Sequence, residues 1–275
     1  RFVSGAVDSS DLQLNVSREI LQKTPIVKAI QKKLISKVLS KLEDLAKNQP
    51  EEYISFWNDM GHFLKEGLHD CTPKQEKSLF KLFRCVTTKS EGELRTLEEL
   101  KESRQEGQEE LWFLTDLDKE RIESRPILEG FKKRDLEVML LSDPVDEFVM
   151  MYKNQYDDVP FKSVAHGDLP EDEDNETEEE KSDRAKANTL VDWLGDLLED
   201  KVSEVRVSNR LTNSPSVLVS QEGALSANME AILRAHNQAV PDTKRVLEIN
   251  PGHPMVKTLA RLNGEGKTNL DTFAQ

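Results

Sequence analysis

The segment Gly264-Glu265-Gly266-Lys267-Thr268 carries the Gly-Lys-Thr that closes a phosphate-binding loop, where backbone N–H groups cradle phosphates and the lysine meets their charge. That loop also needs a glycine five residues before Gly266, and Arg261 stands there, on a segment with helical patterning. The stretch therefore reads as a surface turn. The five histidines, His62, His69, His166, His236 and His253, show neither i,i+4 spacing nor cysteine neighbours, so the sequence advertises no metal site. Its two cysteines, Cys71 and Cys85, form no C-x-x-C pair, which argues against a disulfide framework and suits a reducing compartment. No nucleophile elbow, dinucleotide fingerprint or Cys/His protease signature is present. Arg18 beside Glu19 could offer planar donors to a phosphate, yet on its own such a pair is ordinarily a surface ion pair worth little. The one set with a binding logic of its own is apolar. Leu225, Met229, Ile232 and Leu233 fall at i, i+4, i+7 and i+8, one stripe of a helix, and methionine adapts to varied partner shapes. The same periodicity also describes a buried core face.

A chain of 275 residues has room for two or three compact units around such features. Hydrophobic residues make up 36% against 33% charged and run along the whole length, so most of the chain can bury a core. A formal charge of −14, with no basic stretch interleaved with aromatics, repels phosphate backbones and excludes a nucleic-acid role. No apolar run approaches the roughly 20 residues that cross a bilayer. Arg1-Phe2-Val3-Ser4-Gly5 is neither a signal peptide nor an initiating methionine, so the chain is expected to begin inside a larger, cytoplasmic protein.

Periodicity places the elements. Residues 1 to 22 read as a strand, a polar loop through Asp8-Ser9-Ser10-Asp11 and the approach to a helix, the end of an α/β unit. From the Thr24 cap and Pro25, the positions Ile26, Ile30, Leu34, Val38, Leu42 and Leu45 predict a long amphipathic helix. Further helical patterns through Tyr53–Leu64 and Leu79–Phe83 complete a bundle over 24–90. Leu111–Leu114 and Val138–Leu141 are continuous apolar runs flanking a charged helical stretch from Lys119 to Arg134, a βαβ pattern with both strands in a parallel sheet. A helix after Pro144, with Val145, Phe148, Val149 and Tyr152 on one side, and a strand over Phe161–Val164 follow. Residues 168–186 read as a solvated acidic linker, because the like charges of DLPEDEDNETEEEKSD repel. After it come a helix around Leu190, Trp193, Leu194 and Leu197, strands near Val205–Val207, Val217–Val219 and Val246–Ile249, and a helix over Ser226–His236. The expected fold class is α/β and α+β, with units at 1–167 (including the small α/β unit at 91–167) and 187–275.

The opening segment, from Arg1-Phe2-Val3-Ser4-Gly5 through Asn15-Val16-Ser17-Arg18-Glu19-Ile20-Leu21-Gln22, closely resembles the middle domain of the heat-shock protein 90 chaperone family. Gln13 departs from it, standing where family members commonly have proline. The resemblance continues through Ser55-Phe56-Trp57, Leu64-Lys65-Glu66-Gly67, Leu136-Glu137-Val138, Asp146-Glu147-Phe148, Val207-Ser208-Asn209-Arg210-Leu211 and Leu247-Glu248-Ile249-Asn250-Pro251. It covers essentially the whole chain and looks more like the bacterial branch than the eukaryotic cytosolic one.

This resemblance implies a middle and C-terminal region of an ATP-dependent chaperone. It implies that Arg18 reaches the γ-phosphate of ATP, held with Mg in a separate N-terminal domain, and that Asn15 and Gln22 shape the same catalytic loop. It implies two client-binding patches: Glu147, Phe148 and Met151, and Leu225, Met229, Ile232 and Leu233. Phe148 replaces the tryptophan of some relatives and Met151 a polar residue, which would shift preference toward apolar segments. Implied partners are unfolded or partly folded proteins, a second copy in a homodimer, and the heat-shock protein 70 system. Since the family dimerises through helices beyond Leu262, this chain is expected to be monomeric or weakly dimeric and inactive as an ATPase by itself. The alternative from residues alone is a non-enzymatic scaffold that binds a defined partner.

Overall fold

Three successive helices begin with proline, whose fixed φ and missing N–H suit a first helical position: α1 (Pro25–Asn48), α2 (Pro50–Glu66) and α3 (Pro73–Leu82). The computed structural model describes residues 3–7, 25–166, 169, 177–221, 223–240 and 243–265. Thr72 caps α3 through a reciprocal capping box with Gln75. The buried residues of α1, Leu39 and Leu42, lie in its C-terminal half, while Ile26, Leu34 and Ile35 are exposed. Residues 3–7 carry no strand where one is expected; Val3 and Val7 are exposed, and no partner strand faces them among the described residues. An extended segment becomes a strand only by pairing.

The remainder is a mixed α/β architecture with two mixed sheets. The first has the order β2-β1-β4-β3-β6-β5, from β1 (Arg84–Thr87), β2 (Arg95–Thr96), β3 (Leu111–Thr115), β4 (Val138–Leu141), β5 (Gln155–Tyr156) and β6 (Val159–Ser163). At its centre β4, β3 and β6 are parallel, with Trp112 opposite Val138 and Leu111 opposite Phe161. Leu111, Phe113, Met139 and Leu141 face the helical bundle, whereas Trp112, Leu114, Val138 and Leu140 face Ile127, Leu128 and Phe131 on the other side. Burial on both faces explains why these strands read as unbroken apolar runs. β1 and the edge strands β2 and β5 are antiparallel additions, and the short α4 (Leu97–Glu102) follows β2.

The connection from β3 to β4 is not the single helix expected over Lys119–Arg134. It is two 3-10 turns, Ile122–Ser124 and Pro126–Leu128, then α5 (Glu129–Lys133). Pro126 disfavours helical backbone at the residue before it, and Arg125 is extended (φ −63°, ψ 131°). Gly130 lets α5 sit against the chain at Arg210. An added Cβ would fall 2.6 Å from Leu169 Cδ1 and 2.7 Å from the Arg210 Cα and carbonyl oxygen.

The second sheet, β7-β9-β8, joins β7 (Val202–Val207) and β9 (Arg245–Ile249) in parallel and adds β8 (Ser216–Val219) antiparallel. One side packs on α7 (Glu178–Leu197) and α9 (Pro254–Gly264) through Leu190, Leu194, Val205 and Val256. Val219 and Val246 pack with Trp112 and Phe131, so the two sheets share a core. The acidic stretch at 168–186 departs from a solvated linker at both ends. Leu169 is 1% exposed in that shared core, and α7 is already formed from Glu178. One apolar side chain anchors the first end, and helical spacing of Ala187, Leu190 and Leu194 carries the helix back into the charged run.

Glu129 ties α5 to the loop before β8. Its carboxylate accepts from the N–H groups of Thr212 and Asn213 at 2.7 Å and of Ser214 at 3.1 Å, and from the Ser214 hydroxyl at 2.5 Å. Burial raises its pKa, but the Ser214 hydroxyl and the three N–H groups outweigh this and hold it near about 2. With the folded value depressed, its contribution is present above the unfolded pKa of about 4.3 and is lost as pH falls through the folded value. Glu129→Gln should therefore flatten the acid limb of stability between about pH 4.5 and 2, measured as urea midpoints; an unchanged limb would remove Glu129 as its source.

Candidate functional site

α6 (Pro144–Tyr152) begins with a reciprocal capping box between Asp143 and Asp146. Asp146 is wholly buried and meets Lys65 of α2, with Lys65 Nζ 2.7 Å from Oδ1 and 3.0 Å from Oδ2. Burial raises the Asp146 pKa, and the Lys65 ammonium opposes that shift. The lysine also lies over the rings of Trp57 and Phe83, at 5.9 and 5.6 Å. This clamp sets the rotation of α6. Val149 turns into the core, and Phe148, Met151 and Tyr152 are left outside at 38, 49 and 54% exposure. Between α2 and α6 runs an apolar groove lined by Lys65, Leu68, His69, Phe148, Tyr152 and Lys153.

Glu147 does not face solvent. It is buried and accepts from the Ser226 hydroxyl at 2.9 Å, and that hydroxyl accepts in turn from Met229 N–H at 3.0 Å. Ser226 is the N-cap of α8 (Ala227–Ala235), so one serine starts α8 and fastens it to α6. Asn228 adds a bond from Nδ2 to the Thr115 carbonyl at the end of β3, 2.6 Å. The two patches expected from the sequence, 79 residues apart, are thereby brought together. Within the second patch the stripe divides: Met229 is buried, and Leu225, Ile232 and Leu233 are half-buried. Phe148 and Met151 carry the exposed apolar surface, and Glu147 and Met229 hold it in place. Arg18, Asn15 and Gln22 lie outside the described residues, as does the Gly266-Lys267-Thr268 segment.

A second constellation was not singled out by residue chemistry. Glu248, on the central strand β9 of the second sheet, is 1% exposed. It is paired with Arg206 Nη2 at 2.7 Å and Arg210 Nε at 2.9 Å, and it accepts from the Ser208 hydroxyl at 2.8 Å. Arg210, also 1% exposed, donates from Nη1 to the Val164 carbonyl at 2.6 Å, reaching from the second sheet to the end of β6. Asn250 Nδ2 donates to the Ser214 carbonyl at 3.0 Å. The segments Val207–Leu211 and Leu247–Pro251 are thus two halves of one buried network. A glutamate inside an otherwise apolar strand run was the available signal, since buried charges are paired. Glu137 acts likewise at the first sheet, accepting from Arg95 Nη1 at 2.6 and 2.7 Å and from the hydroxyls of Thr87 and Ser103 at 2.6 and 2.8 Å.

Among the described residues no helix is long and apolar enough to cross a membrane. Residues 1–274 match the family model described as Hsp90 protein. The chain is 44% identical over 274 residues to the chaperone protein HtpG of Geobacter sulfurreducens, covering 98% of this chain and 42% of that protein. It is 42% identical over 275 residues to HtpG of Ruthia magnifica subsp. Calyptogena magnifica, covering 98% and 43%. With HtpG of Mycobacterium tuberculosis the identity is 41% over 261 residues, covering 94% and 40%. The chain spans about two fifths of the length of these relatives. A match over nearly its whole length, at this identity, makes this chain a member of the Hsp90 protein family, with bacterial chaperones named HtpG among its relatives.

Proposed function

We propose that this chain is the client-handling part of an ATP-dependent molecular chaperone, and that partly folded proteins dock on the surface formed by α6 and α8. The apposition of those helices through Glu147 and Ser226 carries the reading. α6 presents exposed Phe148 and Met151, and the helix fastened to it contributes half-buried Leu225, Ile232 and Leu233. Exposed aromatic and methionine side chains on a rigid support suit apolar segments of varied shape. Replacing Phe148 and Met151 together by serine should weaken binding of an unfolded model protein on the order of tenfold with the melting temperature kept. Unchanged affinity would remove α6 from the client surface.

In the longer protein to which such a chain belongs, Arg18 supplies its guanidinium to the γ-phosphate of ATP bound with Mg in an N-terminal domain, and Asn15 and Gln22 shape the loop that presents it. A permanently charged planar donor is suited to charge developing on a transferring phosphoryl group. Arg18→Ala in the full-length protein should slow ATP hydrolysis and leave nucleotide affinity nearly intact; unchanged turnover would exclude Arg18. The full-length protein works in this reading as a cytoplasmic homodimer, alongside the heat-shock protein 70 system.

A further inference from the structure

The turn from α2 to α3 brings Cys71 against the end of α6. Its Sγ lies 3.9 Å from Lys153 Nζ and 3.9 Å from Glu76 Oε2, and Glu76 and Lys153 are themselves paired. The three residues come from the turn before α3, the first turn of α3 and the cap of α6, 82 residues apart at their widest. Cys71 is half-buried, and the side chains of Lys153 and Glu76 are 15 and 33% exposed, so small reagents reach the cluster. Cys85 is buried in the core, so no disulfide partner is at hand for Cys71. An ion pair needs only Glu76 and Lys153; a thiol in contact with both adds redox chemistry.

We propose that Cys71 and Lys153 form a sulfenamide cross-link under hydrogen peroxide, reversed by thiols, with Glu76 handling the proton. In the first step the Cys71 thiolate attacks peroxide: an S–O bond forms, the O–O bond breaks, and the other oxygen leaves as water once protonated. Sulfur loses two electrons to the peroxide and becomes a sulfenic acid. In the second step Glu76 takes a proton from the Lys153 ammonium, and the freed amine attacks Sγ. The S–N bond forms as the S–O bond breaks, the hydroxyl leaves as water with the proton passed on from Glu76, and one further proton goes to solvent. The sum is thiol, ammonium and hydrogen peroxide giving sulfenamide, two waters and a proton. Sulfenic acids condense in the same way with backbone nitrogen. The flexible four-carbon lysine stem can close the 3.9 Å gap by torsion alone. Burial raises the Cys71 thiol pKa, Lys153 lowers it and Glu76 adds to the rise, so the reaction draws on a small thiolate fraction and is slow.

The link would lock the end of α6 to the turn before α3, beside the edge-to-face pair of His69 and Tyr152 at 5.0 Å. Its chemistry does not depend on what the neighbouring surface binds. The test is peptide mapping by mass spectrometry of the chain treated with hydrogen peroxide and digested without reductant. The expected product joins the Cys71 and Lys153 peptides with loss of two hydrogens and comes apart in dithiothreitol. It should be absent in Cys71→Ser and in Lys153→Arg, which keeps the ion pair, and closure from the sulfenic acid, the step after peroxide attack, should be several-fold slower in Glu76→Gln; circular dichroism checks that each variant folds. Cys71 recovered only as thiol, sulfinic or sulfonic acid, or an equal yield of linked peptide in Lys153→Arg, would overturn the proposal.

Discussion

Arg210→Ala is expected to lower unfolding stability by about 3–5 kcal/mol, the cost of stranding a buried charge. Glu248 would lose its fully buried cationic partner and keep the Ser208 hydroxyl and Arg206, whose side chain is 35% exposed, while the Val164 carbonyl would lose its donor. Charge alone is not what matters here. Exposed ion pairs contribute about 0–1 kcal/mol because water and salt screen them and ordering two long side chains costs entropy. Arg210 and Glu248 have already left water, and each is tolerated because the other is present. Replacing both by methionine should therefore recover most of the loss, since apolar residues of similar volume remove the desolvation cost along with the attraction. Urea denaturation of the two variants decides it. A loss under about 1 kcal/mol in Arg210→Ala would mean that the network behaves as a surface pair.

Lys65→Met should cost a similar amount, about 3–5 kcal/mol, and should make stability depend on pH in a way that identifies the cause. Burial already raises the Asp146 pKa and Lys65 holds it back, so removing the ammonium drives it further up. A folded pKa above the unfolded one, about 3.9, favours the protonated acid in the folded state. That contribution is complete below the unfolded pKa and is lost as pH rises through the folded value. The variant should thus be more stable at about pH 5 than at about pH 8, and urea midpoints across that range measure it. A midpoint indifferent to pH would show that Asp146 is not stranded. Because Asp146 also closes the capping box that starts α6, the loss should loosen that helix first and with it the seating of Phe148 and Met151.

Much of the fold was legible because its signals are local. Pro25 opens a helix as its position predicts, and the helical spacing of Leu190 and Leu194 falls on the packed side of α7. The unbroken runs Leu111–Leu114 and Val138–Leu141 are indeed neighbouring parallel strands, buried on both faces. What escaped was short or depended on distant partners. β1, β2 and β5 have two to four residues each, too few to show an alternation. The helix expected over Lys119–Arg134 was broken by Pro126, whose effect on Arg125 outweighs the charged helical composition around it. Nothing local marks Leu169 for burial within the acidic run, because Gly130 and Arg210, which lie against one another there, come from distant parts of the chain.

The candidate surface divides along the same line. The sequence by itself determined which residues form apolar stripes on the two helices and, through long shared motifs, the family to which the chain belongs. It could not determine which side of each stripe faces water, because a period of 3.6 residues specifies a face and not its neighbour. That was decided by side chains far away in the chain. Lys65 orients α6 by burying Asp146, Ser226 seats α8 on Glu147, and Phe148 and Met151 are left outward while Met229 is covered. The same holds for Glu248, one charge within an apolar strand until Arg206, Ser208 and Arg210 close around it. A buried charge is intelligible only together with its partner, and that pairing is a property of the tertiary structure.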